Sequence, residues 1–238
     1  MKVTETGIEP LEANARIIAQ PLPWPLPFRH LLLAKRPECA DALIAAFPAE
    51  IPAELARAVP SRKAEFLLGR LAAAALLAEL GCPAATRWLG ADGGRPRWPG
   101  GTIGSIAHSA EMVAVTACPS GAAVASVGID IERLDQDAET TRALDLCFSA
   151  PERSALEVEP HGAIIGFALK EALFKCLNPL LGTFIEFEDV EARLAAAERA
   201  ELVVLRDFGG RFGPGAILEG SYRLVNGHVW AGVRCRSS

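Results

Sequence analysis

VGIDIE, residues 127–132, is the stretch on which the rest of the chain turns. Its alternation predicts a strand with Val127, Ile129 and Ile131 on one face and Gly128, Asp130 and Glu132 on the other. Carboxylates two residues apart on a strand sit roughly 6–7 Å apart and point the same way. That pattern suits a hard divalent cation, which takes oxygen ligands and is commonly held by one or two carboxylates plus substrate phosphates. Gly128 is expected to leave room on the same face for a ligand to approach the backbone. Taken alone, the hexapeptide reads more readily as a half-buried strand with a solvated acidic face.

Immediately upstream, SIAHS (105–109) begins a strand that leads toward EMVAVTAC (111–118), and PSGA (119–122) reads as a hairpin turn with its return strand at 124–133. Before these, GADGGRPRWPGGTIG (90–104) is Gly- and Pro-rich loop carrying Arg95, Pro96 and Arg97. It has no GxxxxGK[ST] phosphate loop. Ser105, Ser109 and His108 sit in no GxSxG elbow, which sets a hydrolase aside. Ser61 is expected to cap a helix over 62–80, RKAEFLLGRLAAAALLAEL, stopped by Gly81 and Pro83. Its expected buried face is Leu67, Leu71, Ala74, Ala75 and Ala78. Arg62, Lys63 and Arg70 place cations at or near a helix start, where the dipole favours an anion; a solvated charged turn is the alternative.

Downstream, SAPE (149–152) reads as a capping box with Pro just inside a short helix. A second helix, about 161–177, is expected to end at Asn178-Pro179 and contains FALKEALFK (167–175). Glu171 and Lys175 are four apart and share a face; as an exposed ion pair they would be worth only about a few tenths of a kcal/mol. Residues 184–236 read as strands and hairpins, with a tight turn at Asn226-Gly227. In the proline-rich first 60 residues, PLPWPLPF (21–28) is read as extended, with short helices around 38–46 and 51–58.

The chain has 238 residues, half of them apolar, and a formal net charge of −5. That balance argues against bulk nucleic-acid binding, though not against an anion in a local basic pocket. The six cysteines, at 39, 82, 118, 147, 176 and 235, form no CxxC pair; they are read as reduced packing residues of a cytoplasmic protein. MKVTETGIEP lacks the apolar segment of a signal peptide, and no apolar run approaches a membrane span.

Taken together, RKAEFLLGRLAA (62–73), GRPRWPGGTIGSIAHS (94–109), VGIDIE (127–132), FSAPE (148–152) and KEALFK (170–175) occur in an order that resembles the 4′-phosphopantetheinyl transferases. The resemblance is to the larger, monomeric branch that includes the enterobactin (siderophore) synthetase component D enzymes, and it covers about residues 61–178. Two departures stand out: Phe167 where the family often has Trp, and Ala107 where it often has Ser. The resemblance implies an α+β fold of two pseudo-symmetric subdomains, 1–126 and 127–238, each a small antiparallel sheet packed with a long helix, with coenzyme A in the cleft between them. It implies transfer of the phosphopantetheine arm of coenzyme A to a serine of an apo acyl- or peptidyl-carrier protein by a cytoplasmic monomer. Asp130, Glu132 and Glu171 would hold Mg²⁺, and Glu171 would also serve as base. Lys175 would support the leaving group, and Lys170 would act at phosphate or carrier. Arg62, Lys63, Arg70, Arg95, Pro96 and His108 would bind the nucleotide end. The rival readings are a non-catalytic subunit that docks a carrier and a Mg²⁺-dependent hydrolase of the coenzyme A pyrophosphate.

Overall fold

A computed structural model describes residues 15–16, 29–35, 40–82, 89–92, 95–121 and 123–237. PLPWPLPF and Cys39 lie outside the described residues. By contacts the chain divides into two compact units, with the change-over at Ser120 and Gly121.

The first unit holds strands β1 (Ala15–Arg16) and β2 (Arg29–Ala34) and helices α1 (Ala40–Ala46) and α2 (Pro60–Glu79). The short pair β3 (Ala91–Asp92) and β4 (Arg95–Pro96) follows, then β5 (Thr102–His108) and β6 (Met112–Pro119). Its main sheet is antiparallel, in the order β1-β2-β6-β5. The Ala- and Leu-rich α2 lies on β6, β2 and β5 and is backed by α1. Being covered on two sides, it buries Ala72, Ala73, Leu76 and Leu77 as well as Leu67, Leu71 and Ala74, while Ala75 is half-buried and Ala78 exposed. Helix α2 opens at Pro60, and Val59 precedes it with no side-chain cap. Ser61 is therefore inside the first turn and not its cap. Proline fits there because that amide has no partner in the helix and φ is already set. The helix expected over 51–58 is instead a 3₁₀ turn, Ala53–Leu55, following another at Pro48–Glu50. Pro48 and Pro52 interrupt any longer run.

The second unit begins with β7 (Ser126–Arg133), then α3 (Ala138–Asp145), α4 (Ala150–Leu156) and α5 (Gly162–Leu181). It ends with β8 (Val190–Ala195), β9 (Arg199–Val204), β10 (Ile217–Val225) and β11 (His228–Cys235). All five strands form one antiparallel sheet, β7-β11-β10-β9-β8. The β10–β11 turn has Asn226 and Gly227 at φ 51° and 74°, as an Asn-Gly hairpin requires. Among the described residues the hairpin expected between β6 and β7 does not form, and an isolated bridge, Gly121 to Val124, marks that turn. Strand β7 pairs with β11 from the far end of the chain, a non-local choice that local turn chemistry does not encode.

Helix α5 lies mainly on β7 and β11, and Leu169, Leu173 and Leu177 go fully into the core beneath it. It runs through Pro179 and stops at Gly182, whose φ is 65° and whose amide bonds to the Asn178 carbonyl at 2.9 Å. Proline in the last turn forfeits only its own bond back to the carbonyl four residues earlier, so Asn178-Pro179 is not the end. Each unit thus sets a 20-residue helix on an antiparallel sheet, the expected α+β architecture. Among the described residues no helix is long and apolar enough to cross a membrane.

Candidate active site

In the second unit the acidic face of β7 is covered, not solvated. A Cβ on Gly128 would lie 1.9 Å from the carbonyl oxygen of Ala172 and 2.5 Å from the amide nitrogen of Cys176. The space expected for a ligand at Gly128 is therefore filled by the backbone of α5, and glycine is what lets strand and helix approach so closely. Two residues on, Asp130 is 4% exposed, and Lys175 Nζ donates to its Oδ1 at 2.6 Å. The ammonium of Lys175 turns to the strand rather than to Glu171 on its own helix.

The second oxygen of Asp130, Oδ2, is buried with no hydrogen-bond partner. Burial, the charge of Asp130 and, more weakly, that of Glu171 push the Glu132 carboxyl up to about 7 against the pull of Lys175. Burial also raises the Glu171 carboxyl, with Lys175 opposing and Asp130 adding to the shift. The charge of Asp130 thus disfavours ionisation of both Glu132 and Glu171, a situation that an added cation relieves. Among the described residues no three His, Cys, Asp or Glu side chains converge as a ready-made metal cage. An all-oxygen set with one bare carboxylate oxygen still fits Mg²⁺, which keeps waters and substrate phosphates in its shell. Glu171 and Lys170 both line a mostly apolar cavity of about 90 Å³, whose other walls include Phe174, Phe184, Ile185 and Phe187. Lys170 faces another flank of α5, where it is buried against Glu152.

In the first unit, Arg62 Nη1 and His108 Nε2 are 2.7 Å apart. Guanidinium only donates, so Nε2 accepts and the imidazole proton sits on Nδ1. Nδ1 lies 3.9 Å from Glu65 Oε2. Glu65 also pairs with Arg62 at 3.2 Å and with Lys35 at 2.5 Å. Lys35 donates in addition to the Ser109 carbonyl at 2.8 Å. Burial works against ionisation of Glu65, but the hydrogen bonds from Lys35 and Arg62 outweigh it and hold the carboxyl below its ordinary range. Arg70 is buried with its guanidinium 4.8 Å from the Phe66 ring centre, and desolvation lowers it to about 10. Lys63 is half-buried; Arg95 is exposed and Pro96 half-buried on β4.

Of the expected residues, then, the structure joins Asp130 to Lys175, lets Glu132 and Glu171 feel both, and joins Arg62 to His108. Sequence reasoning missed Glu65, Lys35 and Glu152. Glu65 had a signal, the three-residue spacing from Arg62 that puts both on one helix face. Lys35 had none, because its contacts to Glu65 and Ser109 are long-range.

The model of the 4′-phosphopantetheinyl transferase N-terminal domain matches residues 51–118, and that of the 4′-phosphopantetheinyl transferase superfamily matches residues 126–224. The chain is 34% identical to the 4′-phosphopantetheinyl transferase Svp of Streptomyces mobaraensis over 63% of this chain and 62% of that protein. It is 36% identical to the 4′-phosphopantetheinyl transferase PptT of Mycobacterium tuberculosis over 60% and 62%, respectively. With enterobactin synthase component D of Salmonella typhi it shares 33% identity over 49% of each chain. The chain thus spans less than two thirds of the length of the curated relatives it matches. The two models between them take in more than half of the chain, in the order in which VGIDIE and KEALFK were read, and the chain belongs to the 4′-phosphopantetheinyl transferase superfamily.

Proposed function

We propose that the protein moves the phosphopantetheine arm of coenzyme A onto a serine of an apo acyl- or peptidyl-carrier protein, acting as a monomer with domains 1–126 and 127–238. The observation that carries this reading is the buried Asp130, with one oxygen on Lys175 and the other bare, beside the carboxyls of Glu132 and Glu171, which its charge helps to raise. Such a set has little use in a docking subunit, whereas a pyrophosphate substrate needs it. Asp130, Glu132 and Glu171 are the residues that would hold Mg²⁺. Bound there, the ion supplies charge neutralisation for the pyrophosphate.

The serine oxygen attacks the phosphorus that bears the arm. The bond from that phosphorus to the bridging oxygen breaks, and adenosine 3′,5′-bisphosphate leaves with the electron pair. Glu171 takes the serine proton, a role that suits a carboxyl raised toward the working pH by burial. Lys175 stabilises charge on the departing phosphate. Arg62, Lys63, Arg70, Arg95, Pro96 and His108 bind the nucleotide end. The apolar cavity beside Glu171 suits the carbon skeleton of the arm better than its phosphates. Component D of the enterobactin synthase, similar across 49% of its length, favours a siderophore carrier among the candidates.

The test is mass spectrometry of a panel of apo carriers incubated with the protein, coenzyme A and Mg²⁺. One arm gained on the serine is the expected result. Release of the arm to water instead makes the protein a hydrolase, and carrier binding without transfer makes it a docking subunit.

A further inference from the structure

Lys170 precedes Glu171 on α5 and points elsewhere. The side chains of Lys170 and Glu152 are 2% and 3% exposed. Lys170 Nζ donates to Glu152 Oε2 at 2.8 Å, to the Phe187 carbonyl at 2.8 Å and to the Cys147 carbonyl at 3.0 Å. An ammonium has three donors, so none is left for a ligand. The Phe148 ring centre lies 5.0 Å from the charge. Glu152 uses its other oxygen, Oε1, to accept the Ala192 amide at 2.7 Å. Ala192 is on β8, an edge strand, so the carboxylate stands in for a missing neighbour strand. This is why Glu152 does not complete the expected capping box: its amide reaches Ser149 Oγ at 3.4 Å, but its side chain is turned into the core. One ion pair therefore ties α4, Cys147 in the segment before it, α5, the turn at Phe187 and β8.

Neighbouring residues on a helix point about 100° apart, so pinning Lys170 on one flank fixes where Glu171 points. On the β7 flank, Ser126 Oγ donates to the Cys176 carbonyl at 2.6 Å and Gly128 abuts Ala172. Helix α5 is thus held against rolling from both sides. A buried ion pair is a poor source of net stability compared with apolar packing, but departing from its geometry strips partners from buried charges. Building on the transferase reading, we infer that Lys170 and Glu152 are positioning residues for the reaction. They hold α5 in the rotation that presents Glu171 on the Asp130 side and fix the Phe187 wall of the cavity, and the ammonium of Lys170, its three donors spent within the protein, makes no hydrogen bond to a ligand.

The test uses the full chain in three measurements: arm transfer to an apo carrier, calorimetric titration of Mg²⁺ in the presence of coenzyme A, and binding of adenosine 3′,5′-bisphosphate without metal. The variants are Glu152→Gln, which keeps the shape, and Lys170→Met combined with Glu152→Leu, which removes both charges. In variants that melt cooperatively, kcat and Mg²⁺ affinity should each fall by about tenfold or more. Bisphosphate affinity should stay within about twofold, since no contact to the nucleotide is lost. If the paired replacement does not fold, Glu152→Gln carries the test. Folded variants with parental kcat and Mg²⁺ affinity overturn the proposal and leave the pair as scaffold. Weaker bisphosphate binding at unchanged kcat overturns it too, because it puts Lys170 on the ligand. A parent that transfers no arm defeats the transferase reading; the Mg²⁺ titrations still decide the positioning claim.

Discussion

Replacing Gly128 with alanine adds one methyl group where β7 meets α5. The new Cβ would stand 1.9 Å from the Ala172 carbonyl oxygen and 2.5 Å from the Cys176 amide nitrogen. Ordinary contact begins at 3.4 Å, so the helix must withdraw by about 1.5 Å from its closest point. Both obstructing atoms are backbone within one helical turn, and no side chain is there to swing aside. Inserting a methyl into a packed core costs about 1–3 kcal/mol, and rigid neighbours put this case near the top of that range. For a chain of this size, about 3 kcal/mol lowers Tm by roughly 6–12 °C. The functional loss should be larger than the stability loss. Lys175 follows Ala172 by less than one turn, and its 2.6 Å contact with Asp130 does not survive such a displacement. Misplacing reacting groups by about 1 Å costs on the order of a hundredfold in rate. Thermal melts and arm-transfer rates on Gly128→Ala check both numbers. A variant that melts within about 2 °C of the parent and transfers at the parental rate refutes the idea that this contact sets the site.

Lys175→Met should reduce turnover by about tenfold or more and lower Tm in Mg²⁺-free buffer, because Asp130 Oδ1 loses its donor at a cost of about 1–3 kcal/mol; added Mg²⁺ should restore much of that Tm, and a Tm equal to the parent's would contradict the pairing. Asp130→Ala should nearly abolish turnover while the protein stays folded, as rate assays and circular dichroism would register. The Glu65 carboxyl is lower in the folded chain than its ordinary 4.5, so the folded state binds fewer protons there. Its stabilising contribution is present above that ordinary value and is lost as pH falls through the lowered one; Glu65→Gln should flatten the acid limb of a stability-against-pH curve and leave the limb above pH 6 parallel to the parent's. Arg62→Ala should weaken coenzyme A by about ten- to a hundredfold and dephospho-coenzyme A hardly at all, if Arg62 meets the 3′-phosphate; equal weakening in calorimetry would move it elsewhere on the ligand.

The sequence by itself determined the elements whose signals are local. Alternation marked VGIDIE as a strand, Asn226-Gly227 fixed the last hairpin, and the long Ala- and Leu-rich runs marked both 20-residue helices to within a few residues. The spacing of Asp130 and Glu132 on the strand, and of Glu171 and Lys175 on the helix, likewise drew attention to these four residues as candidates before any fold was known. Tertiary structure decided what those residues face. Strand β7 is drawn to β11, about a hundred residues away in the chain, because burial of its two sides outweighs the local turn at 119–122. Gly128 opens space for a helix and not for a ligand, Lys175 chooses Asp130 over its helical neighbour, and Lys170 goes into the core beside Glu152. None of these choices is written in spacing along the chain. Each is made by a partner that arrives only on folding, when a buried charge must find an opposite charge or a hydrogen bond, and the nearest one in space is seldom the nearest in sequence.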